Sequence, residues 1–364
     1  MLERTETAGG GELPAAWRQR SDRYSPEFSG QAGEYFGIWF VNLLLSIVTL
    51  GIYSAWAKVR TERYFYGNTR LAGSTFEYLA SPIAILKGRL IAYAVVIALT
   101  LSSYFAVEVY FGLLVLVFAL MPMAIVLGLA FRARNSAWRG VTFHFDRSPG
   151  SGYGPFLGWP ILTLLTGTLV LPVMKKRQHE YVASGHRFGR QPFGFSADIG
   201  VYFTPYLVAL GLWMALIVAF IAVFAVAMIG RGGAGSASPA AAGMALVGAI
   251  VLLYAGMFAM AIFVQVRYAN LFWNSTSLGA HRFESSLRVR DMLLIYFTNL
   301  VAIVCTIGLA APWAMIRLAR YRAAHFAVIT EGSIEEFLAA AEGPRSATGA
   351  EIVDALDVGV DFGV

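Results

Sequence analysis

Apolar residues in this chain come in long blocks parted by short polar stretches, without the alternation that marks water-soluble helices and strands. Runs long enough to cross ~30 Å of hydrocarbon, which takes about 20 helical residues, occupy roughly 35–57, 84–106, 110–131, 155–174, 201–229, 243–265 and 292–316. They are of three kinds. Runs of the first kind, at 35–57, 155–174 and 292–316, carry a central threonine (Thr49, Thr168, Thr306) and close on a Lys/Arg cluster. Asn42 and Asn299, and Gly51 and Gly308, recur in two of the three. The runs at 84–106 and 201–229 are plain, and those within 119–148 and 259–288 lead into Asn135-Ser136 and Asn274-Ser275. First, plain and second kind follow in that order twice before a last first-kind run, which predicts an internal duplication plus one further unit.

Short motifs recur after the first-kind and second-kind runs. Asn68-Thr69 precedes Gly73 and Phe76, Asn135-Ser136 precedes Gly140 and Phe143, and Asn274-Ser275 precedes Gly279 and Phe283. Weaker versions are Ser184 with Gly189, Phe193 and Phe195, and the stretch Ala327 to Phe337. Turn formers followed by period-2 aromatics predict five hairpin-like units, a polar layer beside the helices. The expected class is an all-α polytopic membrane protein, internally duplicated, with short β-hairpin-like cytoplasmic motifs. Its expected parts are a flexible polar arm (1–33), a first membrane repeat (34–154), a second (155–291), a third partial one (292–330) and an acidic cytoplasmic tail (331–364). Within the tail, Ser333-Ile334-Glu335-Glu336 predicts a capping box.

Composition agrees: 57% of residues are hydrophobic, 14% are charged and the mean hydropathy is +0.62, outside the soluble range. No apolar signal core precedes residue 33, so the first run is expected to stay in the mature chain. The single cysteine, Cys305, lies inside an apolar run and excludes a disulfide framework. Between Tyr35 and Thr330 stand 23 Lys/Arg against 8 Asp/Glu, while both ends are acidic. These cations sit where apolar runs end, as the positive-inside rule requires, so a pI of 9.4 argues for membrane orientation and not for nucleic acid.

Two topologies compete. If all seven runs cross with the N-terminus outside, 9 of the 23 body cations, among them Lys175, Arg267 and Arg290, face the wrong way. If the first-kind runs instead enter and leave on one side as re-entrant or interfacial hairpins, four runs cross and the outer loops hold one cation, Arg231. Charge favours the second arrangement, with breaks at Thr49-Leu50-Gly51 and at Pro160, Pro172 and Pro312. The length of the first-kind runs favours the first.

Candidate chemistry is sparse. The apolar runs lack the titratable groups that ion coupling needs, and Lys87 and Arg89 are placed to snorkel. Asn42 and Asn299 each stand seven residues before Thr49 and Thr306, about two helical turns away on one face. These four are candidate polar contacts within the membrane, joining helices or lining a polar path. Lys58, Arg60, Arg63, Lys175, Lys176, Arg177, Arg317 and Arg320, interleaved with tyrosines, are candidate contacts for anionic lipid headgroups on the cytoplasmic face. The five histidines show no metal-ligand spacing, and no catalytic or nucleotide motif occurs. No catalytic residue, cofactor or metal is expected, and a homo-oligomer is left open.

Gly33-Glu34-Tyr35-Phe36, TLGIYSAWAKVRTERYFYGNTRLAGSTFEY from Thr49, Lys87-Gly88-Arg89-Leu90 and the acidic tail resemble the YjgN-like family of bacterial inner-membrane proteins, a family of unknown function. The resemblance runs from about residue 27 and is weakest where Val170-Leu171-Pro172 replaces Gly51-Ile52-Tyr53. It implies a bacterial inner-membrane location and supplies no catalytic residues. Neutral apolar runs and a basic face together suggest a non-enzymatic component, a permeation route for a neutral or amphipathic solute or a lipid-interacting scaffold. The alternative is a membrane-embedded enzyme acting on a lipid headgroup.

Overall fold

The computed structural model describes residues 21–229, 239–332 and 341. In chain order its helices are α1 (Ala32–Val48), α2 (Ser54–Gly67), α3 (Pro82–Phe105), α4 (Val107–Arg134), α5 (Trp159–Leu165), α6 (Leu171–Gly185), α7 (Ile199–Ile229), α8 (Pro239–Asn274), α9 (Val289–Cys305) and α10 (Ala311–Ala324). Four of them, α3, α4, α7 and α8, contain stretches long and apolar enough to cross a membrane, with mean hydropathies of 1.9, 2.8, 2.8 and 2.4. Their apolar side chains point outward on nearly every side, as on helices that meet lipid.

Each first-kind run breaks into two helices. At the end of α1 the Gly51 N–H donates to Ser46 O (2.7 Å) and the Leu50 N–H to Ile47 O (3.1 Å), a Schellman closure that turns the chain back. Leu50 and Gly51 take left-handed φ of 52° and 90°, and Ile307 and Gly308 repeat them at 52° and 91°. Thr49 ties the turn together: its Oγ1 donates to Leu45 O (2.7 Å) and accepts from the Tyr53 N–H (2.9 Å). Thr306 does the same with Ala302 O (2.7 Å) and the Ala310 N–H (2.9 Å). In the middle run the residue at this position is Thr166, whose Oγ1 donates to Leu162 O (2.8 Å), and not the expected Thr168. Thr168 takes the glycine position, at φ 74° after Gly167 at 58°.

The paired helices run antiparallel. Tyr35 stacks on Tyr64 at 5.2 Å near the open end, and the Asn42 amide reaches Ala57 O midway. α1–α2, α5–α6 and α9–α10 therefore each enter and leave on one side, and on the opposite side α3 passes into α4 at Ala106.

The strands are β1 (Ser21–Tyr24), β2 (Glu27–Phe28), β3 (Thr69–Leu71), β4 (Ser74–Tyr78), β5 (Ser136–Trp138), β6 (Val141–Phe145), β7 (His186–Phe188), β8 (Gln191–Phe195), β9 (Thr276–Leu278), β10 (His281–Ser285) and β11 (Phe326–Glu331). Four hairpins of a three-residue and a five-residue strand follow α2, α4, α6 and α8, and β11 follows α10. Ala72-Gly73 and Arg139-Gly140, with φ of 47° and 78° and of 51° and 76°, have the positive dihedrals of tight two-residue hairpin turns. Successive hairpins pair with one another, Phe76 against Trp138 and Phe143 against Phe188, giving one 11-stranded antiparallel sheet with β1 and β2 at its two ends. Only Ser25 and Pro26 separate those ends, a reach of roughly 10 Å between Tyr24 and Glu27. The sheet therefore curls into a barrel-like ring stitched by the chain itself. On one side of the seam Arg23 of β1 reaches past β11 to grip Glu284 of β10 at 2.7 Å, and among the helices Arg320 of α10 donates to Gly30 O (3.1 Å), closing the circle.

The expected all-α class is thus wrong. The hairpin-like motifs expected as a polar layer beside the helices form a continuous sheet, because each five-residue strand offers its free edge to the next motif, about 40 to 85 residues on. Seven spans are not seen, since three of the runs are folded double. Residues 21–28 form β1 and β2 instead of a flexible arm. The capping box at Ser333–Glu336 lies outside the described residues, as does the tail beyond it apart from Ala341.

Candidate functional site

Period-2 alternation puts one face of every strand inside the ring. Leu71, Trp138, Val141, Phe188 and Leu278 are buried there, with Phe76, Phe143, Phe193, Phe283 and Val328 packed against them. Arg70, Glu77, His144, Arg187 and Arg282 face out. The inward aromatics touch around the circle: Phe143 lies 4.9 Å from Phe188, Phe193 stacks on Phe283 at 5.8 Å, and Phe283 on Phe326 at 5.9 Å. They leave a cavity of about 190 Å³ whose polar lining residues are His281 and Thr330. An apolar cavity of this size stays dry and accepts apolar ligand atoms.

The lumen continues towards the helices. Phe76 and Phe143 also line a space of about 490 Å³ bordered by Phe65, Arg132 and His186. Trp273 and Phe326 also line one of about 510 Å³ between α8, α9 and α10, and Phe65 and Thr69 border both spaces. Together they form a chain of mostly apolar spaces from barrel to helix bundle. Ala341 is buried against the barrel core, and its carbonyl accepts from the Arg190 N–H (3.0 Å).

Burial keeps the histidines here uncharged at neutral pH. It lowers the pKa of His281, against the opposing pull of Glu331, and that of His186, whose Nδ1 pairs with Val182 O (2.7 Å). His179 on α6 is pushed down to about 4, first by burial and then by Lys175. Its Nδ1 shares a 2.8 Å hydrogen bond with the Tyr202 hydroxyl of α7, and its ring packs edge-on against Phe272 of α8 at 5.1 Å.

The residues singled out from sequence are spread over the three helical hairpins. Asn42 is buried between α1 and α2, donating to Ala57 O (3.5 Å), and Asn299 donates to Ala314 O (3.3 Å) between α9 and α10. Thr49 and Thr306 lie in the turns. Of the cations, Lys58 pairs with Glu62 (2.5 Å), Lys176 and Arg177 with Glu180 (3.9 and 3.1 Å), and Arg63 donates to Tyr78 O (3.4 Å). Arg317 donates to Asn299 Oδ1 (3.3 Å), Arg320 to Gly30 O, and Arg60 is exposed. Lys175 stands beside His179. The structure does not gather these groups into one site. The lumen went unassigned in the sequence, although its signal was the phenylalanine recurring at one place in each motif. Among the described residues no cluster of three or more His, Cys, Asp or Glu is placed to hold a metal.

Comparison with known proteins agrees with a place in the bacterial inner membrane. Residues 23–355 match the family described as "Bacterial protein of unknown function (DUF898)". The chain is 27% identical over 353 residues to a protein of Salmonella typhimurium named inner membrane protein YjgN, with 81% of this chain and 86% of the relative covered. It is 26% identical over 265 residues to the Escherichia coli K12 protein of the same name, covering 71% and 52% of the two chains. No solved structure matches it.

Proposed function

Since the chain belongs to this bacterial family of unknown function and is an integral inner-membrane protein, we propose that it takes up an amphipathic, lipid-like molecule non-enzymatically, holding its apolar part in the barrel lumen. One observation carries this reading: an aromatic cavity that continues into spaces among helices built to sit in lipid. A soluble substrate would gain little from such a lining, whereas each buried methylene contributes about 0.8 kcal/mol. The barrel faces the cytoplasm, because the last turns of α4 and α10, which lead into its strands, carry Arg132, Arg134 and Arg322. There Lys58, Arg60, Arg63, Lys175, Lys176, Arg177, Arg317 and Arg320 draw anionic headgroups to the rim. The helical hairpins and their following strands descend from a duplicated unit, which accounts for a turn built twice around Thr-x-Gly and once around Thr166-Gly167-Thr168.

Lipid retained by the purified full chain tests the proposal. Leu278→Trp, which fills the lumen without adding charge, is expected to cut retained lipid several-fold relative to the parent chain. Unchanged retention, or turnover of a lipid headgroup by the purified protein, would overturn the reading, and turnover would put a membrane-embedded enzyme in its place.

A further inference from the structure

A further cleft of about 570 Å³ lies where α2, α3 and α4 meet, on the barrel side. Its polar lining is Lys58, Glu62, Tyr66, Tyr78, Arg89 and Arg132, with Ile85 on its wall: three cations against one carboxylate. Lys58 already holds that carboxylate at 2.5 Å. Arg89 spends one N–H on the Ser54 hydroxyl, which leaves the rest of its donor fork open. Among the described residues the Arg132 guanidinium and the Tyr78 hydroxyl have no hydrogen-bond partner, although Tyr78 is only 8% exposed. Burial, then Glu62 and Tyr66, push the Tyr78 phenol up to about 12, so it stays a proton donor at neutral pH.

The same place between α6, α7 and α8 shows what a closed version looks like. Lys175 and His179 stand on α6 as Lys58 and Glu62 stand on α2, and Tyr202 and Tyr206 stand on α7 as Ile85 and Arg89 stand on α3. Tyr202 is fully buried, bonded to His179 and stacked on Tyr268 at 5.6 Å. One frame is packed solid with rings, and the other is open and lined with unspent positive donors.

We propose that the α2–α3–α4 cleft binds the phosphate group of an anionic ligand, held by Arg89 and Arg132 with Lys58 and Tyr78 at its edge. Guanidinium groups suit this task because their planar forks match phosphate oxygens. The cleft opens where α3 begins and α4 ends, and a phosphodiester lipid or a soluble phosphate compound offers the same chemistry. The cleft shares Tyr66 and Arg132 with the space beside Phe76 and Phe143, but none of its residues lines the barrel cavity itself, so Leu278→Trp can lose lipid retention and leave the phosphate result intact.

The test uses the full chain in a neutral detergent, titrated in one arm with short-chain phosphatidylglycerol and in the other with inorganic phosphate. Arg132→Gln is expected to weaken binding roughly tenfold or more, the loss of one charge-assisted pair. Lys87→Gln, which removes the same charge from an exposed position on α3, is expected to leave it nearly unchanged. Ile85→Tyr keeps every cation and fills the cleft as Tyr202 fills its counterpart, and it is expected to abolish binding. Saturable binding of phosphate alone assigns a soluble ligand, and binding of the lipid alone assigns a headgroup. Equal losses in Arg132→Gln and Lys87→Gln, or full binding by a folded Ile85→Tyr protein, would overturn the proposal.

Discussion

Asn42 and Asn299 make the same bond in the first and last helical hairpins, but only one of them is satisfied. Asn299 donates to Ala314 O while its Oδ1 accepts from Arg317 at 3.3 Å. Asn42 donates to Ala57 O at the limit of hydrogen-bond length, and its Oδ1 is buried without a partner among the described residues. A buried carbonyl without a donor costs about 1–3 kcal/mol. Asn42→Leu removes that orphan together with one long bond, so its effect on stability is expected to be small. Asn299→Leu removes the bond to Ala314 O and one of the two side-chain acceptors of Arg317, which keeps Thr298 Oγ1 at 2.5 Å, and is expected to destabilise by about 1–3 kcal/mol. Thermal unfolding of the two variants side by side in one detergent checks the order, and an equal loss in both would show that the Arg317 contact carries no weight. Leu50 and Ile307 show a different tension. Each sits in left-handed backbone at a hairpin tip, 94% and 95% exposed, where glycine would be easier.

The middle hairpin is held by a different device. α6 leans on α7 and α8 through His179, whose ring is bonded to Tyr202 and packed on Phe272. Its pKa in the fold is about 4 against an ordinary 6.5, so between those values the unfolded chain binds more protons than the folded one. Stability is therefore complete above pH 6.5 and is lost as pH falls towards 4, by on the order of 3 kcal/mol if the whole shift is realised. His186 and His281, lowered in the same direction, add to the slope. His179→Phe keeps the ring packing and removes the titration, so its unfolding temperature is expected to fall less steeply between pH 6.5 and 4 than that of the parent chain. Parallel curves would exclude His179 as the source. This contact was not legible in the sequence, where His179 stands in a polar stretch with no partner at helical spacing. The elements that were legible had local signals: long apolar runs, Thr-Leu-Gly breaks, and Asn/Gly turns followed by aromatics. What pairs across the chain, β4 with β5 or β1 with β11, left no local trace. Even the register of the middle turn slipped by two residues, because Gly167 precedes Thr168 where glycine follows leucine or isoleucine in the other two.

For the whole molecule, the ring of strands and the ring of helical units are one device. Each helix that ends at the barrel hands its chain to a strand, and each strand needs the edge of the next unit, so the barrel assembles only when all five helix ends stand on one side. That constraint decides between the two topologies left open by the sequence. Seven spans would put the segment holding Glu77 and the segment holding Arg282 on opposite sides of the membrane, whereas the sheet places both on its outer surface. Neither side chain lines the lumen or the phosphate cleft. In a Cys305→Ala background, Glu77→Cys and Arg282→Cys are therefore expected to react with an impermeant thiol reagent from the same side, and in intact cells neither is expected to react until the inner membrane is opened. Labelling of Arg282→Cys alone from the periplasm would break the ring and return the chain to seven crossings. Labelling of both from the periplasm would keep the ring and invert it, moving the basic rim and the headgroups it is proposed to draw to the outer leaflet.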